Sequence, residues 1–246
     1  MNSAGFAAWH KGDRGFALVF ALVAWIAVIV GFYPAVSGRW RGESDYAAPL
    51  ILQVHVFAFA AWLCLLTAQV FLIRTKHLAG HRALGTAGAL LIPVLAVTGL
   101  GAEVFSQRFY SPQYPANLRF FVFPVTTMLS FVAVASAAVW FRSDPRTHKR
   151  LMMVATALIL VAAFNRMWGN AIYGIMGDEY LGTLVRNVIG PDLVIAALVG
   201  YDLVTRRRVH PALLVAAPPI VLAQLAAAAI YHSSWWPGVA RTLVGI

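Results

Sequence analysis

The stretch LILQVHVFAFAAWLCLLTAQVFLI, Leu50–Ile73, runs for 24 residues without one Asp, Glu, Lys or Arg. At about 1.5 Å per residue it reaches roughly 36 Å as a helix, enough to cross the ~30 Å hydrocarbon layer of a bilayer. A surface helix of a soluble domain would set charged residues opposite an apolar stripe, and this stretch has none. Working outward, six further runs read the same way: Phe16–Tyr33, Leu84–Phe105, Phe120–Phe141, Leu151–Ile172, Val188–Val204 and Ala212–Tyr231. The expected fold is all-α, an integral membrane bundle of seven transmembrane helices forming one domain over residues 1–246. Composition agrees: 61% of the 246 residues are hydrophobic and 11% charged, against about a quarter charged in a soluble domain. That excludes a soluble enzyme, a disordered chain and a disulfide-stapled secreted module; Cys64 is the lone cysteine. An outer-membrane barrel is excluded too, since its strands alternate apolar and polar over about ten residues.

The formal charge of +10 points to topology rather than to nucleic acid, because the basic residues sit in short loops between apolar runs. One side collects Lys11, Arg14, Arg74, Lys76, Arg82, Arg142, Arg146, Lys149, Arg150, Arg206, Arg207 and Arg208. The other holds Arg39, Arg41, Arg108, Arg119, Arg186 and Arg241. The richer side is expected to be cytoplasmic, which puts the N-terminus inside and the C-terminus outside a bacterial inner membrane. The first run is read as a retained helix, being longer than the apolar core of a cleaved signal. Pro34, Pro49, Pro112, Pro115, Pro191 and Pro211 are read as helix boundaries, and Pro93 and Pro218-Pro219 as internal kinks. Tyr33, Trp40, Trp168, Trp235 and Trp236 read as an interfacial belt.

Polar groups inside the spans are costly in lipid and mark the candidate sites. On the second helix His55, Trp62 and Gln69 recur every seven residues and so share one face, expected to point inward. Arg166 interrupts the fifth run. Glu103 and Asp192 are read at a similar outer depth, where either would serve as its ion-pair partner. The functional alternative there is contact with an anion or a quinone headgroup. Arg166 follows His148 by 18 residues, five turns of a straight helix, so the two are expected on one face. His77 and His81 are four apart, but Gly80 between them argues for a loop and against a metal pair. All three lysines fall in loops, leaving no Schiff-base lysine for a retinal protein. No Gly-rich phosphate loop, G-x-S-x-G or H-E-x-x-H occurs.

Three turns resemble one another: His81-Arg82-Ala83-Leu84, His148-Lys149-Arg150-Leu151 and His210-Pro211-Ala212-Leu213. They suggest stacked helical hairpins, although short basic loops resemble one another by chance as well. His81-Arg82-Ala83-Leu84-Gly85, followed by His148-Lys149-Arg150-Leu151-Met152 and Arg166, resembles uncharacterised bacterial polytopic membrane proteins with H-R-x-L-G and H-K-R-L-M turns. Over roughly Leu50–Arg166 the chain is also distantly similar to ascorbate-type transmembrane haem-b cytochromes and ferric-reductase-like bundles. That resemblance implies haem b held between histidines of facing helices, with His81 and His148 as one same-depth pair and His55 and His232 as the other. The fourth run departs from the cytochrome pattern by lacking a histidine. The expected function is membrane electron transfer through haem b, quinone or both. The alternatives are a non-redox accessory or assembly subunit, or a small transporter, with structural histidines. A weaker one is a metal-dependent membrane hydrolase using His77, His81 and His148 with Asp144 or Asp202.

Overall fold

The computed structural model describes residues 6–7, 9–115 and 117–246, and its regular elements are all helices, with no strand among the described residues. The helices are α1 (Asp13–Trp40), α2 (Leu50–Arg74), α3 (Leu78–Ala89), α4 (Leu91–Tyr110), α5 (Asn117–Phe120) and α6 (Val122–Trp140). There follow α7 (Pro145–Ile159), α8 (Val161–Met176), α9 (Tyr180–Arg206), α10 (Pro211–Tyr231) and α11 (Trp236–Val244). Six spans are long and apolar enough to cross a bilayer, with α3–α4 running as one of them; the bent pair α7–α8 makes seven if taken as a single span. The molecule is thus a multi-pass helical membrane protein.

Several boundaries differ from the sequence expectation. The run Leu151–Ile172 is not one straight helix: the chain bends by 47° between α7 and α8 at Leu160. His148 and Arg166 therefore lie on two different axes, and the five-turn argument that aligned them fails. Pro34 and Pro191 lie inside α1 and α9 rather than at their ends. A membrane helix tolerates such a proline when neighbouring helices or polar side chains take up the carbonyl left four residues before it. Pro93 falls in the first turn of α4 and kinks nothing; the break comes before it, at Leu90. The segment His77–His81 is not a loop, since His77 is the N-cap residue of α3 and the His81 N–H donates to the His77 carbonyl at 3.0 Å.

Helix α9 begins eight residues before the expected Val188 because its polar first turns satisfy one another. Arg186 pairs with Asp178 at 2.9 Å, the Thr183 hydroxyl donates to the Asp178 carbonyl at 3.1 Å, and Asn165 of α8 donates to Asn187 at 2.9 Å. Asp192 consequently sits at mid-helix, not at an outer end.

Helix α7 is the axle of the bundle. Val154 to Leu160 are buried on every side, so α6, α9, α10 and the α8 end pack around it. Its one polar group at that level, Thr156, accepts a hydrogen bond from the Trp62 indole of α2 at 3.1 Å. Small residues set the spacing elsewhere. A Cβ on Gly31 of α1 would stand 2.4 Å from the Ala163 carbonyl oxygen of α8. Backbone cannot yield as a side chain can, so Gly31→Ala is expected to lower stability by about 1–3 kcal/mol, read as a fall in melting temperature in detergent.

At the opposite end from the N-terminus, α11 closes the bundle. Trp236, Ala240 and Val244 recur every four residues and are buried against Leu118, Phe121 and Tyr231. Trp236 is thus a core residue, its indole donating to the Arg119 carbonyl at 3.2 Å, while Trp235 stays exposed.

The N-terminal end carries a network that the charge count had assigned to loops. The Arg150 Nε donates to Asp202 Oδ2 at 2.7 Å, and its Nη2 pairs with the other oxygen. Arg206 Nη2 bonds both oxygens of Asp13 at 2.8 Å, and Lys149 reaches the same carboxylate at 2.6 Å. The Phe6 ring lies beneath the guanidinium groups of Arg150, Arg206 and Arg208 at 4.7, 5.3 and 5.2 Å.

His210 belongs to this network as the N-cap of α10. Its backbone N–H donates to Asp202 at 3.2 Å, and its Nδ1 accepts from the Ala212 N–H at 3.1 Å. Burial, with the Arg150 charge beside it, holds the imidazole down to about 4 from an ordinary 6.5. An unfolded chain therefore binds the proton first as pH falls, so stability should drop between about pH 6.5 and pH 4, by at most about 3 kcal/mol. His210→Asn keeps a capping acceptor and should flatten this part of the curve; an unchanged pH profile of melting temperature in that variant would refute the assignment.

Candidate functional site

The structure brings two of the predicted histidines together. His81, in the first turn of α3, and His148, in the first turn of α7, face each other with ring centroids 6.4 Å apart and planes at 81°. His148 Nδ1 lies 2.8 Å from the Ala138 carbonyl of α6. A carbonyl only accepts, so Nδ1 carries the proton, and the lone pair of the neutral ring is left on Nε2. On His81 the backbone carbonyl accepts from the Gln69 amide at 3.2 Å, while the buried Nδ1 has no partner. Gln69 thus anchors the α3 start to α2.

That separation has a chemical meaning. Two imidazoles bound on opposite sides of one metal, each at about 2 Å, place their ring centres on the order of 6 Å apart. The hydrogen bond from Nδ1–H to a backbone carbonyl is the usual device for orienting such a ligand and fixing its tautomer. Leu84 and Gly88 follow His81 on the same face of α3 and, with Ala61, Cys64 and Ala68 of α2, line an open groove of about 450 Å3. Gly88 permits the close approach of α2, since a Cβ there would lie 2.3 Å from the Leu65 side chain.

A second polar group gathers toward the other end of the spans. His55 packs on Phe59 with centroids 4.4 Å apart, and its buried Nδ1 has no partner. Arg166 lies within Coulombic reach of both His55 and Glu103. Its guanidinium covers the Phe32 ring at 4.5 Å and donates to the Ala162 carbonyl at 3.0 Å. The expected ion pair does not form. Glu103 instead accepts from Gln107 at 2.7 Å, and Asp192, carried to mid-span by the longer α9, accepts from Gln224 at 2.9 Å.

His232 is not joined to His55 by any ring contact among the described residues; it packs on Tyr231 and Tyr180 at 4.9 and 6.2 Å. The hydrolase constellation is not assembled either. Asp202 is committed to Arg150, Asp144 caps α7 and bonds Thr147 at 2.8 Å, and no three His, Cys, Asp or Glu among the described residues could hold one metal. The signal that sequence reading lacked was Ala138: a backbone acceptor on α6, invisible in any side-chain pattern, orients His148.

Comparison with protein-family models, curated proteins and solved structures gives no match for this chain.

Proposed function

We propose that this is a membrane electron-transfer protein that holds haem b between His81 and His148. One observation carries the reading: two half-buried imidazoles at the spacing of a shared metal, one of them already oriented through Nδ1 so that Nε2 is the free donor. The residues present fit such a group. His81 and His148 would hold the iron, and the apolar groove along α3 beyond His81 would hold the rest of the group. When bound, haem supplies a one-electron couple whose potential the protein tunes through its ligands and its burial. The chain's own contribution is orientation: Ala138 fixes one ring, and Gln69 fixes the turn that carries the other.

The positive-inside rule supports a bacterial inner membrane location with the N-terminus cytoplasmic and the C-terminus outside, so that the haem lies near the cytoplasmic face. A quinone is the partner of matching solubility. Arg166 and His55 offer donors to its carbonyls toward the outer face, with the Glu103 carboxyl nearby. Lipid surrounds the apolar faces of the spans, and nothing in the site favours nucleic acid.

The test is a visible spectrum of the purified protein in detergent. A Soret band that shifts on dithionite reduction is expected. A colourless preparation from haem-sufficient cells would return the histidines to structural anchors in an accessory subunit or small transporter.

A further inference from the structure

A cavity of about 20 Å3 lies where α6, α9 and α10 meet, lined among others by Thr126, Thr127, Ser130, Asn187, Pro191 and Gln224. One water molecule needs about 10–15 Å3 of such space and two to four polar partners. The partners are there and unspent. Thr67, Thr98 and Thr205 turn their hydroxyls onto the carbonyl four residues back, as helical threonines do. The side-chain hydroxyls of Thr126, Thr127 and Ser130 form no hydrogen bond with any described residue. Pro191 has no N–H to give the Asn187 carbonyl one turn before it. The Asn187 side chain donates to the Thr183 carbonyl at 2.8 Å and accepts from Asn165 at 2.9 Å. Gln224, on the cavity wall, donates its amide to Asp192 at 2.9 Å. Asp192 directly follows Pro191 near the middle of the span, where a carboxyl is costly and marks function by default.

We propose that this cavity binds a single internal water, held by the α6 hydroxyls and the Asn187 carbonyl, which hydrates the Gln224–Asp192 pair and makes Asp192 an intramembrane site of proton exchange. Gln224 occupies Oδ1 of the carboxyl, which leaves Oδ2 to exchange its proton with the water: the Oδ2–H bond breaks as a third O–H bond forms on the water, and the reverse transfer restores both. The site stands independently of haem: of its three helices only α6 also meets the His81–His148 pair, through the Ala138 carbonyl.

The experiment is X-ray radiolytic footprinting of the full chain in lipid nanodiscs, read by mass spectrometry. Bound water generates hydroxyl radicals that oxidise only the side chains beside it. Phe123 and Ile220, both buried on the cavity wall, should be oxidised at least ten-fold faster than the lipid-facing Leu193 and Leu222. The Thr127→Val/Ser130→Ala variant should lose that excess. In a second measurement the infrared carboxyl band absent from Asp192→Asn should shift in D2O at least ten-fold more slowly in that double variant than in the unmodified protein. Oxidation of Phe123 and Ile220 no faster than the lipid-facing pair in the unmodified protein would overturn the proposal, whether or not the variant folds. So would equal D2O exchange rates.

Discussion

Arg150→Met is expected to destabilise the protein by about 3–5 kcal/mol, and Asp202→Leu by a similar amount, whereas the double variant should recover most of the loss. Both side chains are shut from solvent, at 2% and 0% exposure, so screening does not discount the pair. Either single change leaves a buried charge without its bidentate partner: Asp202 keeps only Arg206 at 3.7 Å and the His210 N–H, and Arg150 keeps only the Arg146 carbonyl as an acceptor, at 2.9 Å. Removing both removes the penalty along with the attraction. The two losses also differ in what they uncover. Without Asp202 the His210 backbone N–H loses its acceptor, and the cap of α10 is disturbed along with the ion pair. Without Arg150 the Phe6 ring loses one of the three guanidinium groups above it but keeps Arg206 and Arg208. Melting temperatures of the three variants in one detergent, followed by size-exclusion of the folded peak, decide the matter. Additive losses in the double variant would show that the pair does not act as a unit.

That pair shows where sequence reading stops. Arg150 and Asp202 sit 52 residues apart beside short basic turns, where the positive-inside rule counts them as loop charges. Only the packing of α7 against α9 reveals them as core. The apolar runs were legible because lipid demands uninterrupted hydrophobicity over the whole thickness: six correspond to helical spans, and the seventh, Leu151–Ile172, to the bent pair α7–α8. Their ends were less so. Asn187, Thr183 and Arg186 look like a loop in isolation and form a helix because Asp178 and Asn165 answer them. The bend at Leu160 has no proline or glycine to announce it. Of the proposed ligands, the approach of His81 to His148 was readable from repeated turns at equal depth. The separation of Arg166 from Glu103 and Asp192 was not, because it depends on that bend and on where α9 begins.

His148→Ala should reduce haem occupancy at least ten-fold, the lower end of what even an orienting contact contributes at a metal site. His81→Ala should do the same, while His55→Ala and His232→Ala leave the spectrum intact. The asymmetry between the two ligands gives a sharper test than loss alone. His148 is held by the Ala138 carbonyl, so its ring is fixed before any metal arrives. The His81 Nδ1 has no such partner, and that ring is free to be replaced by a ligand from solution. Added imidazole should therefore restore the Soret band in His81→Gly more fully than in His148→Gly. His81→Met should keep a band but raise the reduction potential, since a thioether in place of one imidazole favours the reduced iron. A structural histidine predicts neither rescue nor a potential shift. If His55→Ala rather than His81→Ala bleached the protein, the ligand pair would lie at the other end of the bundle, and the groove along α3 would have to be read as packing alone.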